Sequence, residues 1–506
     1  MKPGVLQFLV GCFAALGSFL FGYDLAVIAE VVASDNFKTL FLQDNADAKA
    51  GTVVALFTAG CFTGALGSGF TNPIGRRAVI LMGSCIFIVG GIIQTAGMNI
   101  GMLYAGRYVA GVGVGFLTLI VPIFQAEISH RKIRGKITCL QQLFNALGQV
   151  VAAWIGYACY QTWTGTGNSR EWRIPLGIQI VPAIFLASMI YLFPESPRWL
   201  CDHDQSDRGR RNLAQLHSHG DESDPYVIAE FNLIMHQIET ERLDKKKTYW
   251  DLVSTLPNLR RTIIVMAIQA GCQMTGVSSI QYFSPQIYAQ IGIPTSQSLL
   301  FNGVNAIIAL LGTTVCILII ERVGRRSLEI YGAAIMCITF LINAILIQKF
   351  PASAPSTGAH WAFVALTWLF NFVFFVTSGP LSWAIPAELF GNAMRMKGVS
   401  LGGMTSFAFN TMIGQVTPIA VSAIGWQYYI VFIVCNATNG IFLWAFLPET
   451  TGLNLEDMDE LFEESPWFIP GSKWVPSSHV DEDARRVAEG WKGDEGSVER
   501  VEEVFV

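Results

Sequence analysis

The chain has 506 residues, of which 52% are hydrophobic and only 14% are charged, and its formal net charge is −5. An ordinary soluble chain carries roughly 25% charged residues, and a soluble protein of this length cannot keep so much apolar surface away from water. The composition therefore excludes a soluble enzyme, a disordered scaffold and a disulfide framework, and it indicates a membrane protein with many spans.

Twelve apolar runs follow one another along the chain. Each is long enough for a membrane-spanning helix, which needs about 20 mostly apolar residues. Because the runs are continuous rather than alternating, they predict α-helices and not a β-barrel. The first six runs are 5–33, 51–71, 78–97, 100–124, 137–160 and 172–192, and the second six are 262–289, 299–320, 328–347, 361–386, 399–423 and 427–446.

The polar segments between and after the runs suggest four parts. Within the long stretch 194–261, residues 226–243 carry apolar side chains at helical spacing. The end of the chain starts with a helical pattern at 455–462 and then becomes acidic and poor in apolar residues, which is typical of disorder. We therefore expect a six-helix bundle at 1–193, a cytoplasmic linker with short helices at 194–261, a second six-helix bundle at 262–447 and a partly disordered cytoplasmic tail at 448–506.

The positions of lysine and arginine predict the orientation in the membrane. If the first residue lies in the cytoplasm, most of the 33 basic residues fall in cytoplasmic segments, because the outer segments hold only Lys38, Lys49, Arg170, Arg173 and Lys349. Positive charge accumulates on cytoplasmic loops. We therefore expect a multi-pass protein with both termini in the cytoplasm, and we expect it in the plasma membrane.

Three motifs of the first half recur in the second half, at the ends of the corresponding runs and 249, 261 and 254 residues later. The pairs are Gly75-Arg76-Arg77 with Gly324-Arg325-Arg326, Glu127…Arg134 with Glu388…Arg395, and Pro194-Glu195-Ser196 with Pro448-Glu449-Thr450. Three matched pairs indicate a duplicated six-helix unit, and internal repeats of this kind are typical of transporters.

Asp24, Glu30 and Arg107 are the charged residues that lie inside runs and away from their cytoplasmic ends. A charge in the hydrocarbon is costly and marks a candidate functional site. With a helical rise of 1.5 Å per residue, Asp24 and Arg107 lie roughly 6 and 10 Å below the outer boundary, close enough to meet. A contact that changes with conformation would change proton affinity and couple transport to a proton gradient; the alternative is a static salt bridge.

Glu30 lies six residues beyond Asp24, about 9 Å further out along a helix. We expect it at the outer interface, either solvated or paired with Arg170 or Arg173. A role in proton or substrate entry is the alternative.

An ordered set of motifs extends from about Phe19 to Phe462. It consists of Gly22-Tyr23-Asp24, Gly75-Arg76-Arg77, Gly106-Arg107, Pro122…Glu127…Arg134-Gly135, Pro194-Glu195-Ser196-Pro197-Arg198-Trp199-Leu200, Gly379-Pro380-Leu381-Ser382-Trp383 with Pro386-Ala387-Glu388-Leu389-Phe390, and Pro448-Glu449-Thr450. This set resembles the sugar porter family of the major facilitator superfamily, and its fungal members in particular. The resemblance implies an all-α membrane protein of the major facilitator fold, with twelve transmembrane helices in two pseudo-symmetric six-helix bundles, a substrate site between them and alternating access.

The resemblance also implies roles for charged residues. Asp24 matches the position that proton symporters of the family use, with Arg107 as its partner. The family's cytoplasmic gate network is matched by Arg76, Arg77, Glu127, Arg134 and Glu195 in the first half and by Arg325, Arg326, Glu388, Arg395 and Glu449 in the second. One position departs from the family pattern. The family usually has an acid three residues before Gly-Arg-Arg, and this position is Glu321 in the second half but Asn72 in the first. We therefore expect a weaker network in the first half.

The candidate substrate site is polar and aromatic, because sugars are recognised by groups that form several hydrogen bonds and by aromatic faces. Gln269 and Gln273 lie four residues apart on one helix face. With the positions that the resemblance supplies, the candidates are Gln142, Gln269, Gln273, Ser278, Tyr282, Trp383 and Asn410. Departures from the family pattern at Cys272, Ser278, Phe283, Ala309 and Ser406-Phe407 remove hydrogen-bonding groups, which predicts altered selection among sugars and polyols.

These features together predict a secondary active transporter that imports a monosaccharide or polyol by proton symport. The alternatives are a uniporter of the same fold and a transporter-like nutrient sensor. The expected partners are the sugar or polyol, the proton and the lipid bilayer, without nucleic acid, cofactor or metal. No catalytic constellation is present, so we do not expect an enzyme. Glycine and proline in the first, fourth, seventh and tenth runs predict helices that break.

Overall fold

The computed structural model describes residues 3–68, 71–130, 134–243, 248–353, 356–390, 392–450 and 455–471. These ranges form α-helices and short 3₁₀ turns, and no β-strand occurs within them. Helices dominate because a chain in hydrocarbon must satisfy its own backbone hydrogen bonds, and a helix does so within one segment.

The chain forms twelve spans, numbered here in chain order. Spans one to six are Pro3–Ala14 continued by Leu16–Ala33, then Ala46–Ser68, Arg76–Thr95, Ile100–Ile128, Arg134–Trp163, and Arg170–Ile178 continued by Ile180–Met189. Spans seven to twelve are Leu256–Met274 continued by Val277–Ala289, then Thr295–Val323, Arg325–Lys349, Thr357–Val376 continued by Ser378–Leu389, Asn392–Ile424 and Tyr428–Phe446.

Eleven helical stretches among the described residues are long and apolar enough to cross a membrane. The last of them, Met394–Phe446, has 53 residues and holds spans eleven and twelve, which the 3₁₀ turn Gly425–Gln427 separates. The number of predicted spans, twelve, is therefore confirmed.

Small residues let neighbouring spans approach closely. A methyl group at Gly22 would lie 1.9 Å from the main-chain oxygen of Asn145 in span five, so only glycine fits at this crossing. Spans two and four cross in the same way, with Gly60 and Gly64 against the backbone of span four. Close backbone approach at small residues is a common way to pack helices in membranes. The glycine of the Gly22-Tyr23-Asp24 motif thus positions Asp24 between spans.

Two bundles share one interface. One large core cluster joins spans one to six, and a second joins spans seven to twelve. Tyr282, Phe283 and Phe407 belong by sequence to the second bundle, but they pack in the core cluster of the first. The interface between bundles therefore contains aromatic side chains from spans seven and eleven.

Short helices cover one face of the protein, which we call the linker face. Four of them lie between spans six and seven, at Pro197–Asp202, Ser206–His217, Pro225–Leu243 and Asp251–Ser254. A fifth, Leu455–Glu464, follows span twelve and packs on the start of span seven, where Arg260 donates to the carbonyl of Ser465 (2.9 Å) and Arg261 to that of Met458 (3.1 Å). Residues 472–506, which include the part of the tail predicted to be disordered, lie outside the described residues.

Two spans are interrupted by residues with non-helical backbone angles. Span seven breaks at Gly276, whose φ of +96° lies in the left-handed region that favours glycine. Span ten breaks at Thr377, with φ −118° and ψ −98°. Span four was also expected to break, but it is one continuous helix, Ile100–Ile128, in spite of Pro122. The breaks leave backbone groups and side chains of spans seven and ten free to line a site between bundles.

Candidate functional site between the two bundles

Asp24 of span one and Arg107 of span four form an ion pair in the interior of the first bundle. The Arg107 Nη1 and Asp24 Oδ1 atoms are 2.5 Å apart, and the two side chains are 1% and 0% exposed, respectively. Arg107 is held by two further contacts: its Nε donates to the carbonyl of Val53 (3.1 Å), and its guanidinium lies 4.6 Å from the centre of the Phe57 ring. Span four is thus fixed to span two while it contacts span one.

The second carboxylate oxygen of Asp24, Oδ2, is buried and has no hydrogen-bond partner among the described residues. An ionised carboxylate that is removed from water is stable only if its oxygens are paired. The pair is therefore incomplete on one side.

Glu30 lies in a different environment from the one predicted. It is 3% exposed, and its Oε1 accepts a hydrogen bond of 2.8 Å from the Asn302 amide of span eight. The expected partner Arg173 is used elsewhere, because it donates to the carbonyls of Thr95 and Gly97 and stacks on Trp172. The expectation that Glu30 is solvated or paired with Arg170 or Arg173 is wrong. The physical reason is that Glu30 lies against Gly156 of span five and is bound by Asn302 of span eight, and these spans bury its carboxylate.

Space for Glu30 is provided by a glycine of span five. A methyl group at Gly156 would lie 2.4 Å from the Glu30 Cγ atom. Glu30 Oε2, like Asp24 Oδ2, is buried without a described partner. The contact of Glu30 with Asn302 therefore joins the two bundles by one hydrogen bond between buried side chains.

We expect Asn302→Leu to lower the melting temperature of the purified protein, and Glu30→Met/Asn302→Leu to restore most of the loss. Removal of one partner leaves a buried carboxylate unpaired, which costs about 1–3 kcal/mol or more, whereas replacement of both partners by apolar groups of similar shape is nearly neutral. Thermal unfolding in detergent measures the effect. A double variant that is less stable than the single variant would contradict this account.

Further hydrogen bonds join the bundles on the face opposite the linker face. Gln286 of span seven donates to Asp47 (3.1 Å), and Gln415 of span eleven donates to the carbonyl of Ala48 (3.4 Å). Thr58 and Thr411 share a hydrogen bond of 2.8 Å nearer the centre. These contacts close the interface towards the opposite face.

The break in span seven organises a polar network that includes four of the predicted substrate residues. Asn410 of span eleven is its centre: its Nδ2 donates to Gln273 Oε1 (2.8 Å) and Ser278 Oγ (3.2 Å), and its Oδ1 accepts from the Tyr282 hydroxyl (2.8 Å). Ser278 also donates to Gln273 (2.9 Å). Gln273 lies before the break and Ser278 after it, so the break brings them together.

The other three predicted substrate residues are placed differently. Gln269 is 1% exposed and donates to the carbonyl of Ser382 in span ten (2.7 Å), so its amide nitrogen holds two spans together. The Trp383 ring lies 6.4 Å from the Phe407 ring, and both pack on the core of the first bundle. Gln142 is half-buried on span five, and in the described part of the chain no hydrogen bond connects it to the network.

Charged residues of the first half form a cluster on the linker face. Arg76 binds Glu127 through two hydrogen bonds of 2.9 and 2.8 Å. The main-chain nitrogen of Arg77 donates to the Glu195 carboxylate at 3.2 Å, and the Arg77 guanidinium donates to the carbonyl of Phe193 (2.7 Å). The side chain of Arg134 lies outside the described residues, as do those of Asn72 and Glu321, on which the expected difference between the halves depends.

The second half repeats this arrangement. Arg325 binds Glu388 (3.1 Å), and the main-chain nitrogens of Arg325 and Arg326 donate to the Glu449 carboxylate at 2.9 and 3.2 Å. Glu388 also accepts from the Thr450 hydroxyl (2.9 Å). Arg395 donates to the carbonyl of Phe390 at 3.4 Å. The sequence repeat therefore corresponds to a structural repeat. In each half one acid binds the start of a span: Glu195 binds span three, and Glu449 binds span nine.

A glycine with positive φ precedes each arginine pair, Gly75 with +96° and Gly324 with +89°. A methyl group at Gly324 would lie 2.6 Å from the Glu449 Oε2 atom. Glycine at this position is thus required both for the backbone conformation and for the approach of the carboxylate.

We expect Gly324→Ala to lower the melting temperature much more than Gly425→Ala. Both residues have positive φ, but nothing lies within 4 Å of a methyl group at Gly425. The Gly425→Ala control therefore carries only a backbone cost, about 1–2 kcal/mol. Gly324, with φ 89° and ψ 149°, has a conformation that is essentially restricted to glycine, and Gly324→Ala also displaces Glu449. Thermal unfolding of the two variants tests this, and equal losses would contradict the role given to Glu449.

Two further polar contacts were not predicted from the sequence. Ser406 accepts a hydrogen bond from Gln273 (2.9 Å) and thus joins the network, although its position was identified only as a departure from the family pattern. Glu329 of span nine is buried and accepts from the Ser378 hydroxyl (2.7 Å) beside the break in span ten. The sequence shows this acid as the second residue of the run 328–347, at its cytoplasmic end, where a charge does not by itself mark a functional site.

Twelve spans in two bundles, a buried ion pair and a polar network between broken helices define a membrane transporter of the major facilitator fold. The chain belongs to the sugar (and other) transporter family, whose family model matches residues 10–462. Both the predicted fold class and the predicted family are confirmed.

Curated relatives match nearly the whole chain. It is 30% identical over 507 residues to the MFS glucose transporter mfs1 of Aspergillus flavus, covering 96% of this chain and 94% of that protein. It is 31% identical to the galactose transporter of Saccharomyces cerevisiae, covering 92% of this chain and 82% of that protein. These relatives are transporters, which confirms that the chain is a transporter and not an enzyme.

Solved structures show the same fold. The proton:xylose symporter XylE bound to 6-bromo-6-deoxy-D-glucose has a TM-score of 0.77 and 23% sequence identity, covering 90% of this chain and 99% of that chain. A partially occluded inward open conformation of XylE from E. coli has a TM-score of 0.76 and 22% identity. At this identity the likeness establishes the fold alone.

Proposed function

We propose that this protein imports a monosaccharide or polyol by proton symport and alternating access. The substrate site is formed by the network of Gln273, Ser278, Tyr282 and Asn410, with Gln142, Gln269 and Trp383 contributing in other conformations. The network offers amide and hydroxyl groups that can exchange their mutual hydrogen bonds for bonds to sugar hydroxyls. Two relatives are a glucose transporter and a galactose transporter, which supports a sugar as the substrate.

The observation that carries proton coupling is the buried pair of Asp24 and Arg107. A carboxylate in contact with a guanidinium holds its proton weakly, and the same carboxylate holds it more strongly once that contact is lost and water is excluded. Span one contributes Asp24, and span four, which is anchored to span two through Arg107, contributes the cation. A movement of span one relative to span four therefore changes proton affinity. The proton:xylose symporter XylE has the same fold, which is consistent with this proposal.

The charge clusters of the linker face act in this proposal as a cytoplasmic gate. Because positive charge accumulates on cytoplasmic loops, the linker face is the cytoplasmic face and both termini lie there. We also propose four parts, 1–193, 194–261, 262–447 and 448–506, and the plasma membrane as the location. The helix of span seven begins at Leu256, six residues before the expected start of the second bundle. The ion pairs described above join residues within one bundle. Pairs that form between bundles in the outward-facing state would stabilise that state.

Uptake of labelled sugars and polyols tests the proposal. The chain is expressed in cells without hexose transporters, and accumulation is measured with and without an uncoupler. We expect at least one sugar or polyol to accumulate above its external concentration, and we expect the uncoupler to abolish the accumulation.

Two outcomes would contradict symport. Uptake that is insensitive to the uncoupler and never exceeds equilibrium would identify a uniporter and would assign Asp24 and Arg107 to a static salt bridge. Binding of a sugar without uptake of any would identify a sensor.

A further inference from the structure

A small polar cavity lies between the two bundles, separate from the network around Asn410. Its volume is about 20 Å³, and it is lined by Ala26, Gln149 and Ala153 of the first bundle and by Gln281, Asn302, Asn305, Ala306 and Asn371 of the second. A volume of this size holds about one water molecule or one hydroxyl group. None of the seven predicted substrate residues lines the cavity.

The position of the cavity follows from the residues that border it. Ala26 lies two residues beyond Asp24 along span one, in the direction of the opposite face. Asn302 binds Glu30, which lies one helical turn beyond Ala26. Gln281 donates across the interface to Gln149 (3.5 Å). The cavity therefore lies between the ion pair and the Glu30–Asn302 contact, on the opposite-face side of the network.

Two amide oxygens at the cavity lack hydrogen-bond donors. Asn305 Oδ1 and Asn371 Oδ1 are buried, and neither has a partner among the described residues. The orientation of the Asn371 amide is set by its nitrogen, which donates to the main-chain oxygen of Asn305 (3.0 Å). Buried acceptors without donors are uncommon and costly, so a molecule that donates hydrogen bonds is expected there.

We propose that this cavity is a second subsite for the transported substrate, in which Asn305 and Asn371 accept hydrogen bonds from one of its hydroxyl groups. The inference rests on the proposed function, because it takes a sugar or polyol as the occupant. A hydroxyl group fits both the size of the cavity and the excess of acceptors. Water occupies the subsite when substrate is absent.

The subsite gives the transporter a means of selection and a link between its halves. A substrate that lacks the relevant hydroxyl, or carries an O-methyl group there, leaves the acceptors unpaired and is discriminated against. Because both bundles line the cavity, a hydroxyl bound in it also favours the closed state of the opposite face.

Binding of monodeoxy analogues to purified Asn305→Leu tests the subsite. Leucine has nearly the shape of asparagine, and the Asn305 side chain forms no hydrogen bond within the described residues that the substitution would break. The control is Asn343→Leu, because Asn343 Oδ1 in span nine is equally buried and unpartnered but does not line the cavity. The probe is the sugar or polyol with the highest uptake, together with its series of monodeoxy analogues.

For the wild-type protein we expect one analogue to bind about tenfold more weakly than the parent, which is the usual effect of one lost hydrogen bond in a built site. Asn305→Leu should weaken parent binding by a similar factor and leave the affinity for that analogue unchanged. Asn343→Leu should bind the whole series as the wild-type protein does.

The inference is overturned if Asn305→Leu binds the whole series with wild-type affinities, because the cavity then holds water alone. A second outcome also overturns the inference. If replacement of sodium by choline changes the affinities of the wild-type protein but not those of Asn305→Leu, the acceptors bind a cation. Wild-type protein that binds no sugar or polyol refutes the proposed function itself, and this inference with it.

Discussion

Asp24→Asn is expected to abolish concentrative uptake while exchange of labelled for unlabelled sugar continues. Asparagine preserves the shape of the side chain and its contact with Arg107, but it cannot bind or release a proton in the relevant range. Each pH unit of gradient corresponds to about 1.4 kcal/mol per proton, which is about tenfold accumulation. Across a gradient of two pH units the variant should therefore lose about a hundredfold accumulation. It should only bring the substrate to equal concentrations on the two sides of the membrane.

The control for this substitution is Glu329→Gln. Glu329 is also a buried carboxylate inside a span, and it is bound to Ser378 rather than to a cation. We expect this variant to keep concentrative uptake. Measurement in proteoliposomes with an imposed pH gradient separates accumulation from exchange. Undiminished accumulation by Asp24→Asn would place the proton site elsewhere, and Glu30 would be the next residue to substitute.

The contact between Asp24 and Arg107 could be predicted from helix geometry in part. Helical rise and the direction of each span bring the two residues to a similar depth, and an unpaired charge at that depth is too costly to leave alone. Depth does not determine which faces of two spans meet. For Glu30 the depth was estimated in the same way, but its partner Asn302 lies 272 residues away on span eight. Nothing in either local sequence indicates that contact.

The broken helices show a second limit. Gly276 has positive φ, and a glycine is a recognisable place for the break in span seven. Span ten breaks at Thr377, before the Gly379-Pro380 pair that suggested flexibility, and span four keeps its helix through Pro122. Side-chain packing around each proline decides whether the freed backbone groups are satisfied, and the sequence does not contain that packing.

The polar network was predicted as a set of residues but not as an arrangement. Resemblance to the sugar porter family supplied Gln273, Tyr282 and Asn410, and the departures at Ser278 and Ser406 were interpreted as lost hydrogen-bonding groups. In the structure both serines bind Gln273. Shorter side chains thus replace larger ones without leaving the amide unpaired, which requires the backbone of spans seven and eleven to lie close together.

Asn410→Ala is expected to have the largest effect on substrate affinity. Asn410 joins Gln273, Ser278 and Tyr282 through three hydrogen bonds. Removal of its amide leaves those groups without a common partner and removes a donor and an acceptor from the proposed sugar site. Loss of one buried hydrogen-bonding group costs about 1–3 kcal/mol, so binding should weaken by about tenfold to a hundredfold, measured with labelled sugar on the purified protein.

The matched control is Thr405→Val in the same span. The Thr405 hydroxyl donates to the Leu401 carbonyl of its own helix (2.9 Å), so its loss alters span eleven but not the network. If the two variants bind sugar with the same affinity and Asn410→Ala melts at a lower temperature than Thr405→Val, the network only holds spans seven and eleven together. Weaker binding with an unchanged melting temperature would show that Asn410 contacts the sugar. The two measurements separate these roles because a structural hydrogen bond acts on stability, whereas a contact with the sugar acts on affinity alone.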